Sequence, residues 1–301
     1  MTRFHIWWLA IRPKTLSISI TPVLLGSVLS WHSHQQFSLL SFSVILLAAV
    51  AIQIGTNLYN DAADYEKGAD TETRLGPQRA AQQGWLSAAQ IKKAAFISFV
   101  MAFIAGIYLV YLGGVAIIFL GLLSILCGYA YTGGPKPIAY SPFGELFVLL
   151  FFGFAAVGGT YYLQSQSINT ATLLLASSIG SLAAAILLIN NYRDLEGDEQ
   201  VSKLTLVHYS GRAAARKIYT AMLIYPYILL GCLWPEYSLW LLLPLFSLPA
   251  AIALIFYLYS LEISAELNKL LARTALLQLV YTLLLSLGIW LSPLSDSGPA
   301  L

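Results

Sequence analysis

The sequence predicts an all-α, polytopic membrane protein with nine transmembrane helices, and three observations carry that prediction. First, 58% of the 301 residues are hydrophobic and 10% are charged, with a mean hydropathy of +0.73; a soluble domain carries about 25% charged residues. Second, the apolar residues gather into runs that approach or exceed the roughly 18–20 residues needed to cross a bilayer as a helix. Third, all sixteen Lys and Arg residues fall at the N-terminus or in alternate connections between those runs. This composition excludes a soluble globular domain. The net charge of +2 says little about partners, because its distribution matters more than its sum.

Taken in order, the spans fall near 16–31, 38–58, 93–112, 114–131, 143–163, 171–191, 215–234, 238–260 and 273–292. The first follows Arg3, Arg12 and Lys14 and so resembles a signal peptide, but eight more spans come after it. Pro22 within it predicts a kink or a shifted helix start. The basic residues occupy the N-terminal tail and the 2–3, 4–5, 6–7 and 8–9 connections, while the opposite connections and the C-terminal tail hold none. The positive-inside rule then places the N-terminus in the cytoplasm and the C-terminus outside. Of the 14 acidic residues only Glu236 and Asp296 lie on the far side, although the rule does not require acids to follow. Cys127 and Cys232 fall inside spans and read as small buried apolar residues. Arg12 and Lys14 read as topology signals, Lys92 and Lys93 as snorkelling anchors, and Arg212, Arg216 and Lys217 as a basic face against anionic lipid.

What concentrates carboxylates on one face is a pair of motifs. Asn57, Asn60, Asp61 and Asp64 end span two, followed by Asp70, and Asn190, Asn191, Asp194 and Asp198 end span six. If the helices continue, Asn57, Asp61 and Asp64 at i, i+4 and i+7 share one face, and Asn190, Asp194 and Asp198 follow one another at one-turn spacing. Their matching positions give a weak four-helix internal repeat. Carboxylate and amide oxygens suit Mg2+, which keeps several waters and is completed by substrate phosphates. Two such sites facing each other would hold a diphosphate between two Mg2+ ions. Lys67, Arg74, Arg79, Lys136, Arg193 and Lys203 stand near the motifs and would neutralise the remaining phosphate charge. His5, His32, His34 and His208 share no ligand spacing with the acids. A secondary transporter also carries paired acidic sites, but near the bilayer midplane rather than at span ends. The Asp-Gly-x2-Ala-Arg motif of CDP-alcohol phosphotransferases is absent.

Asn60-Asp61-Ala-Ala-Asp64 with Asp70, and Asp194-Leu-Glu-Gly-Asp198, resemble the two Asp-rich motifs of the UbiA superfamily of intramembrane prenyltransferases. Lys67-Gly-Ala-Asp70, Arg74-Leu-Gly-Pro-Gln-Arg79, Tyr131-Thr-Gly-Gly-Pro-Lys136-Pro-Ile-Ala-Tyr140, Gly144-Glu145 and Arg12-Pro-Lys-Thr15 are similar to its MenA-type branch, which prenylates 1,4-dihydroxy-2-naphthoate for menaquinone synthesis. Two features depart from that branch. Ala62-Ala63 stands where an aromatic and a glycine are expected, and Lys203 stands alone where two adjacent basic residues are usual.

The resemblance implies nine helices around a central cavity, forming a single domain over residues 1–301 in the inner membrane, with cytoplasmic cap loops at about 61–90, 132–142 and 192–214. It implies polyprenyl transfer from a polyprenyl diphosphate to the naphthoate with loss of diphosphate and CO2, giving demethylmenaquinol. Another donor or acceptor, such as a phytyl group or 4-hydroxybenzoate, is the alternative within the superfamily. Asp61, Asp64, Asp70, Asp194 and Asp198 are then the metal ligands, and Tyr131, Tyr140 and Tyr192 candidates to stabilise an allylic cation. The expected partners are the two substrates and the lipid bilayer, with no nucleic acid.

Overall fold

The computed structural model describes residues 2–70 and 74–294, with the side chains of Pro235 and Glu236 excluded. Asp296, the side chain of Glu236, and residues 71–73 of the expected 61–90 cap loop therefore lie outside the described residues. Among the described residues all regular structure is helical.

The chain opens with a short helix that the apolar pattern does not predict, α1 (Arg3–Ala10). Its Ile6 and Trp7 pack against Leu58, Trp85 and Leu86, while Phe4 and Trp8 stack on its exposed face. α2 (Pro13–His34) starts with Pro at its first position, where the missing N–H costs nothing, and passes through Pro22 without interruption. Ser38 caps α3 (Leu39–Glu66) by accepting the N–H of Ser41 at 3.2 Å. This helix runs beyond its apolar stretch and carries Asn57, Asp61 and Asp64 with it. α4 (Ala88–Ala130) opens on a Ser87–Gln90 capping box. At 43 residues it would span about 65 Å as one helix, but Gly114 breaks it with φ 64° and ψ −151°. That break lies where the sequence expects the short connection between spans three and four.

A 3-10 turn (Ile138–Tyr140) leads to α5 (Gly144–Val148), a π-helical stretch (Leu149–Gly158) and α6 (Gly159–Ser165), which together make one apolar span. α7 (Thr170–Gln200) follows an Asn169 cap that accepts the N–H of Thr172 at 2.7 Å. α8 (Leu206–Tyr237), a 3-10 segment (Leu239–Ser247), α9 (Leu248–Ser260) and α10 (Leu267–Leu291) complete the described chain. Among the described residues, 8 helical stretches are long and apolar enough to cross a membrane; Ala88–Ala130 counts as one of them. The protein is a multi-pass membrane protein.

α7 is the central helix. Leu175, Ile179, Leu182 and Ala185 have no exposed surface, and the helix is covered by α8, α10 and the π-helical stretch. Lipid tails are as apolar as leucine, so close packing and interhelical hydrogen bonds hold such helices together. Both devices are present. A Cβ at Gly180 would lie 2.4 Å from the carbonyl oxygen of Leu149, and one at Gly153 would lie 2.5 Å from that of Ala176. Two backbones thus touch where only glycine fits. The hydroxyls of Tyr219 and Thr274 pair at 2.7 Å, and Tyr281 donates to the Pro226 carbonyl at 3.0 Å. The two cysteines do not pack inside as expected. Cys127 is half-buried and Cys232 exposed, and on a membrane helix an exposed side chain meets lipid rather than water.

Candidate active site at the ends of two helices

The first motif meets a loop that folds back over it. Asp61, 1% exposed, accepts the N–H groups of Ala80 and Ala81 at 3.1 and 3.2 Å, one on each carboxylate oxygen. It thereby caps a helical turn over residues 79–84, whose Gln83 N–H donates to the Arg79 carbonyl. Arg79 reaches back to the same helix end. Its Nη1 donates to Asp64 Oδ2 at 2.9 Å and to the Asn60 carbonyl at 3.1 Å, and its Nε lies 3.2 Å from Asp70 Oδ1. Thr132 donates to Asn60 Oδ1 at 2.6 Å, and the Tyr140 hydroxyl donates to Asp64 Oδ1 at 3.3 Å.

The second motif is largely self-contained. Arg193 donates to Asp194 from Nε and Nη2 at 2.7 and 2.5 Å, and Nη2 also reaches Asn190 Oδ1 at 2.9 Å. Lys203 pairs with Asp198 at 3.2 Å, five residues away in sequence. Asn191 donates to Glu145 Oε1 at 2.9 Å.

Two links join the motifs. The Arg74 guanidinium sits between them, with Nε 3.2 Å from Asp70 Oδ1 and Nη2 3.6 Å from Asp194 Oδ2. The Tyr140 ring, bonded to Asp64 through its hydroxyl, lies under Lys67 at 4.5 Å and Lys203 at 5.9 Å. Asn268, at the start of α10, accepts from Arg193 at 2.6 Å and donates to the Leu75 carbonyl at 2.8 Å, which ties the loop down from the opposite side.

The electrostatics follow from burial among alternating charges. Burial raises the Asp70 carboxyl, with Arg79 and Arg74 pulling against it. Burial alone would lower Arg79, yet Asp64, Asp70 and Asp61 outweigh it and hold the guanidinium above its usual range. Arg74 is lowered, first by burial and then by Arg79. Burial, reinforced by Asp64, raises the Tyr140 phenol, and burial with Glu145 and Asp64 nearby raises that of Tyr131.

The residues fit a hard cation in donor type. Asp70 Oδ2 and Asp198 Oδ2, one from each motif, are buried and have no hydrogen-bond partner. Among the described residues no three His, Cys, Asp or Glu side chains form a ready cage.

Some expected residues stand elsewhere. Asn57 is spent on the α1–α2 junction, donating to the Ile11 carbonyl and Thr15 Oγ1, both at 3.0 Å. Lys136 is exposed in the turn after α4. Tyr192 faces α8, where Arg216 donates to its hydroxyl at 2.8 Å and the guanidiniums of Arg212 and Arg216 cover its ring at 5.5 and 5.7 Å. Its ring is engaged in the contact between α7 and α8. Arg212 also pairs with Glu196, so these two arginines hold α7 to α8 instead of forming a lipid-facing basic surface. Sequence reasoning missed Thr132, Asn268 and the inward placement of Arg12. Arg12 and Thr132 had left a signal, in the Arg12-Pro-Lys-Thr15 and Tyr131–Tyr140 strings, and Asn268 none.

The chain was compared with known proteins. The sequence profile of the UbiA prenyltransferase family matches residues 19–279. The 1,4-dihydroxy-2-naphthoate octaprenyltransferase of Haemophilus influenzae is 34% identical over 305 residues, covering 95% of this chain and 96% of that one. The Escherichia coli protein of the same name is 34% identical over 300 residues, covering 97% of each. In structure, a UbiA homolog from Archaeoglobus fulgidus bound to DMAPP and Mg2+ superposes with a TM-score of 0.63 at 14% identity, covering 93% of this chain and 99% of that one. With two Asp motifs brought together at the ends of α3 and α7, and with these likenesses in sequence and fold, the chain belongs to the UbiA prenyltransferase family.

Proposed function

We propose that the protein transfers a polyprenyl group from a polyprenyl diphosphate to 1,4-dihydroxy-2-naphthoate, releasing diphosphate and CO2 and giving demethylmenaquinol for menaquinone synthesis. The relatives' names support the acceptor. The observation that carries the reaction type is Arg74, whose single guanidinium contacts Asp70 of one motif and Asp194 of the other. Two acidic helix ends within reach of one side chain make a site of diphosphate size.

In this reading Asp61, Asp64 and Asp70 on one side, and Asp194 and Asp198 on the other, would hold two Mg2+ ions. When bound, Mg2+ supplies positive charge against the departing diphosphate. The chain's own residues do the rest. Arg74, Arg79 and Arg193 present planar forks and Lys203 a point charge, and these can exchange carboxylate partners for phosphate oxygens, while Lys67, which donates to the Thr132 carbonyl at 2.7 Å, adds a second point charge. Breaking the allylic C–O bond leaves a cation, which the nearby faces of Tyr131 and Tyr140 favour. The loop held down by Asp61, Asn60 and Asn268 excludes water that would otherwise capture this cation.

The whole chain, 1–301, would act as one domain in the inner membrane, with cap segments near 61–90, 132–142 and 192–214. Counting α4 as two crossings on either side of Gly114 gives nine, with the N-terminus in the cytoplasm and the C-terminus outside. The test is to incubate purified protein with Mg2+, a polyprenyl diphosphate and a panel of aromatic acids. The expected result is a prenylated naphthoquinol with CO2 released, only when Mg2+ is present. Transfer to 4-hydroxybenzoate alone would move the protein to another branch, and no transfer to any acid would overturn the reading.

A further inference from the structure

Arg12 lies near the site without a carboxylate partner among the described residues, and its surroundings are unusual. It joins α1 to α2 with φ 54° and ψ 66°, the left-handed region that non-glycine residues seldom enter. Such a conformation persists only where neighbours over-determine it, and here they do. The Arg12 N–H donates to the Leu9 carbonyl at 3.1 Å. Its carbonyl accepts from both the N–H and the Oγ1 of Thr15 at 2.9 Å. Asn57 of α3, one turn before Asp61, clamps the junction from the side through Ile11 and Thr15.

The hinge turns the side chain inward. Arg12 Nη2 is buried and has no hydrogen-bond partner among the described residues, whereas Arg74, Arg79 and Arg193 are each paired with carboxylates. The charges it feels most are those of Arg79 and Asp61, then Arg74 and Asp64, so it stands at the rim of the first motif. Burial and Arg79 lower it to about 10, which leaves it charged at neutral pH. A topology signal would rest in the headgroup region with its charge solvated. A guanidinium whose buried Nη2 has an unmet donor, carried on a strained and triply braced backbone, is arranged to receive an anion.

We propose that Arg12 is a substrate-binding residue whose guanidinium receives an anionic oxygen of a bound substrate, supplied either by the carboxylate of the aromatic acid or by the donor diphosphate. The proposal rests on the prenyl-transfer reading above and adds a residue to it. A fork of this kind fits either group in bidentate fashion. The binding contribution of a charge-assisted hydrogen bond predicts a loss of roughly 10- to 100-fold in affinity for whichever substrate is held.

The experiment compares wild type with Arg12→Gln and Arg12→Lys, with KM measured separately for the naphthoate and for the polyprenyl diphosphate. Binding of inorganic pyrophosphate with Mg2+ is measured by calorimetry. If the carboxylate is the ligand, Arg12→Gln raises KM for the acid alone, and 1,4-dihydroxynaphthalene, which lacks the carboxylate, is used equally by variant and wild type. If the diphosphate is the ligand, KM rises for the donor and pyrophosphate binds more weakly. Arg12→Lys, which keeps the charge but loses the fork, falls between wild type and Arg12→Gln.

Unchanged KM values and pyrophosphate affinity in a folded Arg12→Gln protein overturn the proposal. So does a rise in both KM values together with a lowered unfolding temperature, which marks a structural role. Should Arg12→Gln fail to fold, Arg12→Lys decides alone, and wild-type constants in that variant reject the proposal. Wild-type protein that prenylates no acid would sink the parent reading instead, and the pyrophosphate arm would then decide Arg12 on its own.

Discussion

The two acidic motifs end equivalent helices and share a residue vocabulary, yet they are held in opposite ways. The carboxylates of α3 are satisfied from far along the chain. Asp61 is bonded by Ala80 and Ala81, and Asp64 by Arg79 and Tyr140. Those of α7 take their partners from their own neighbourhood, Asp194 from Arg193 and Asp198, at one oxygen, from Lys203. One rim of the site is therefore built by a loop closing over it, and the other is preformed on a buried helix. The difference suggests that substrate entry and release act through the first rim, where carboxylate–loop contacts must exchange, while the second serves as the fixed wall.

Breaking either rim at its acid should have the largest effect. Asp61→Ala and Asp194→Ala should each lower prenyl transfer by roughly 10³-fold or more while the protein remains folded in detergent; full activity in either would refute the two-rim site. Only Asp61→Ala should also open the 74–85 loop to protease, because only it removes the cap on that loop.

The next effect separates the cations. Arg79→Ala and Lys203→Ala each leave a buried carboxylate short of its partner, a loss of about 3–5 kcal/mol in denaturant unfolding. Arg79→Ala should in addition speed hydrogen exchange in the loop, and Lys203→Ala should not. Equal exchange in the two variants would erase the contrast between the rims. Gly180→Ala forces a Cβ against the Leu149 carbonyl and should cost about 1–3 kcal/mol, testing how far the preformed rim depends on close packing of α7. Smaller again, Thr132→Val removes the hydrogen bond to Asn60 and should cost about 1 kcal/mol. Smallest is Glu196→Gln, which weakens a half-exposed pair with Arg212 and should change stability by about 0–1 kcal/mol.

The second rim was the more legible in the sequence for the same reason that it is preformed. Arg193 beside Asp194 and Lys203 five residues after Asp198 are pairs that nearness in sequence alone brings within reach. On the first rim, spacing placed Asn57, Asp61 and Asp64 on one helix face but could not assign their partners. Asn57, read as a site oxygen, turned out to brace the α1–α2 junction, because its partners Ile11 and Thr15 come from another helix. Tyr192 is similar: its position in the motif suggested the site, and the structure sets its ring beside Arg212 and Arg216 on α8. Gly114 showed the limit for spans. Hydropathy marked two runs, and the non-helical backbone of Gly114 divides α4 between them with almost no loop.

The sequence by itself determined that the chain crosses a membrane as helices and that two oxygen-rich motifs end two of them. Apolar length and side-chain periodicity are properties of a segment and need no partner. Only the tertiary structure decided that Arg74 joins the motifs, that the loop caps one of them, and that Arg12 points inward. Those facts are contacts between groups tens or hundreds of residues apart, and they exist only once the glycine-lined packing of the central helix has set the distances.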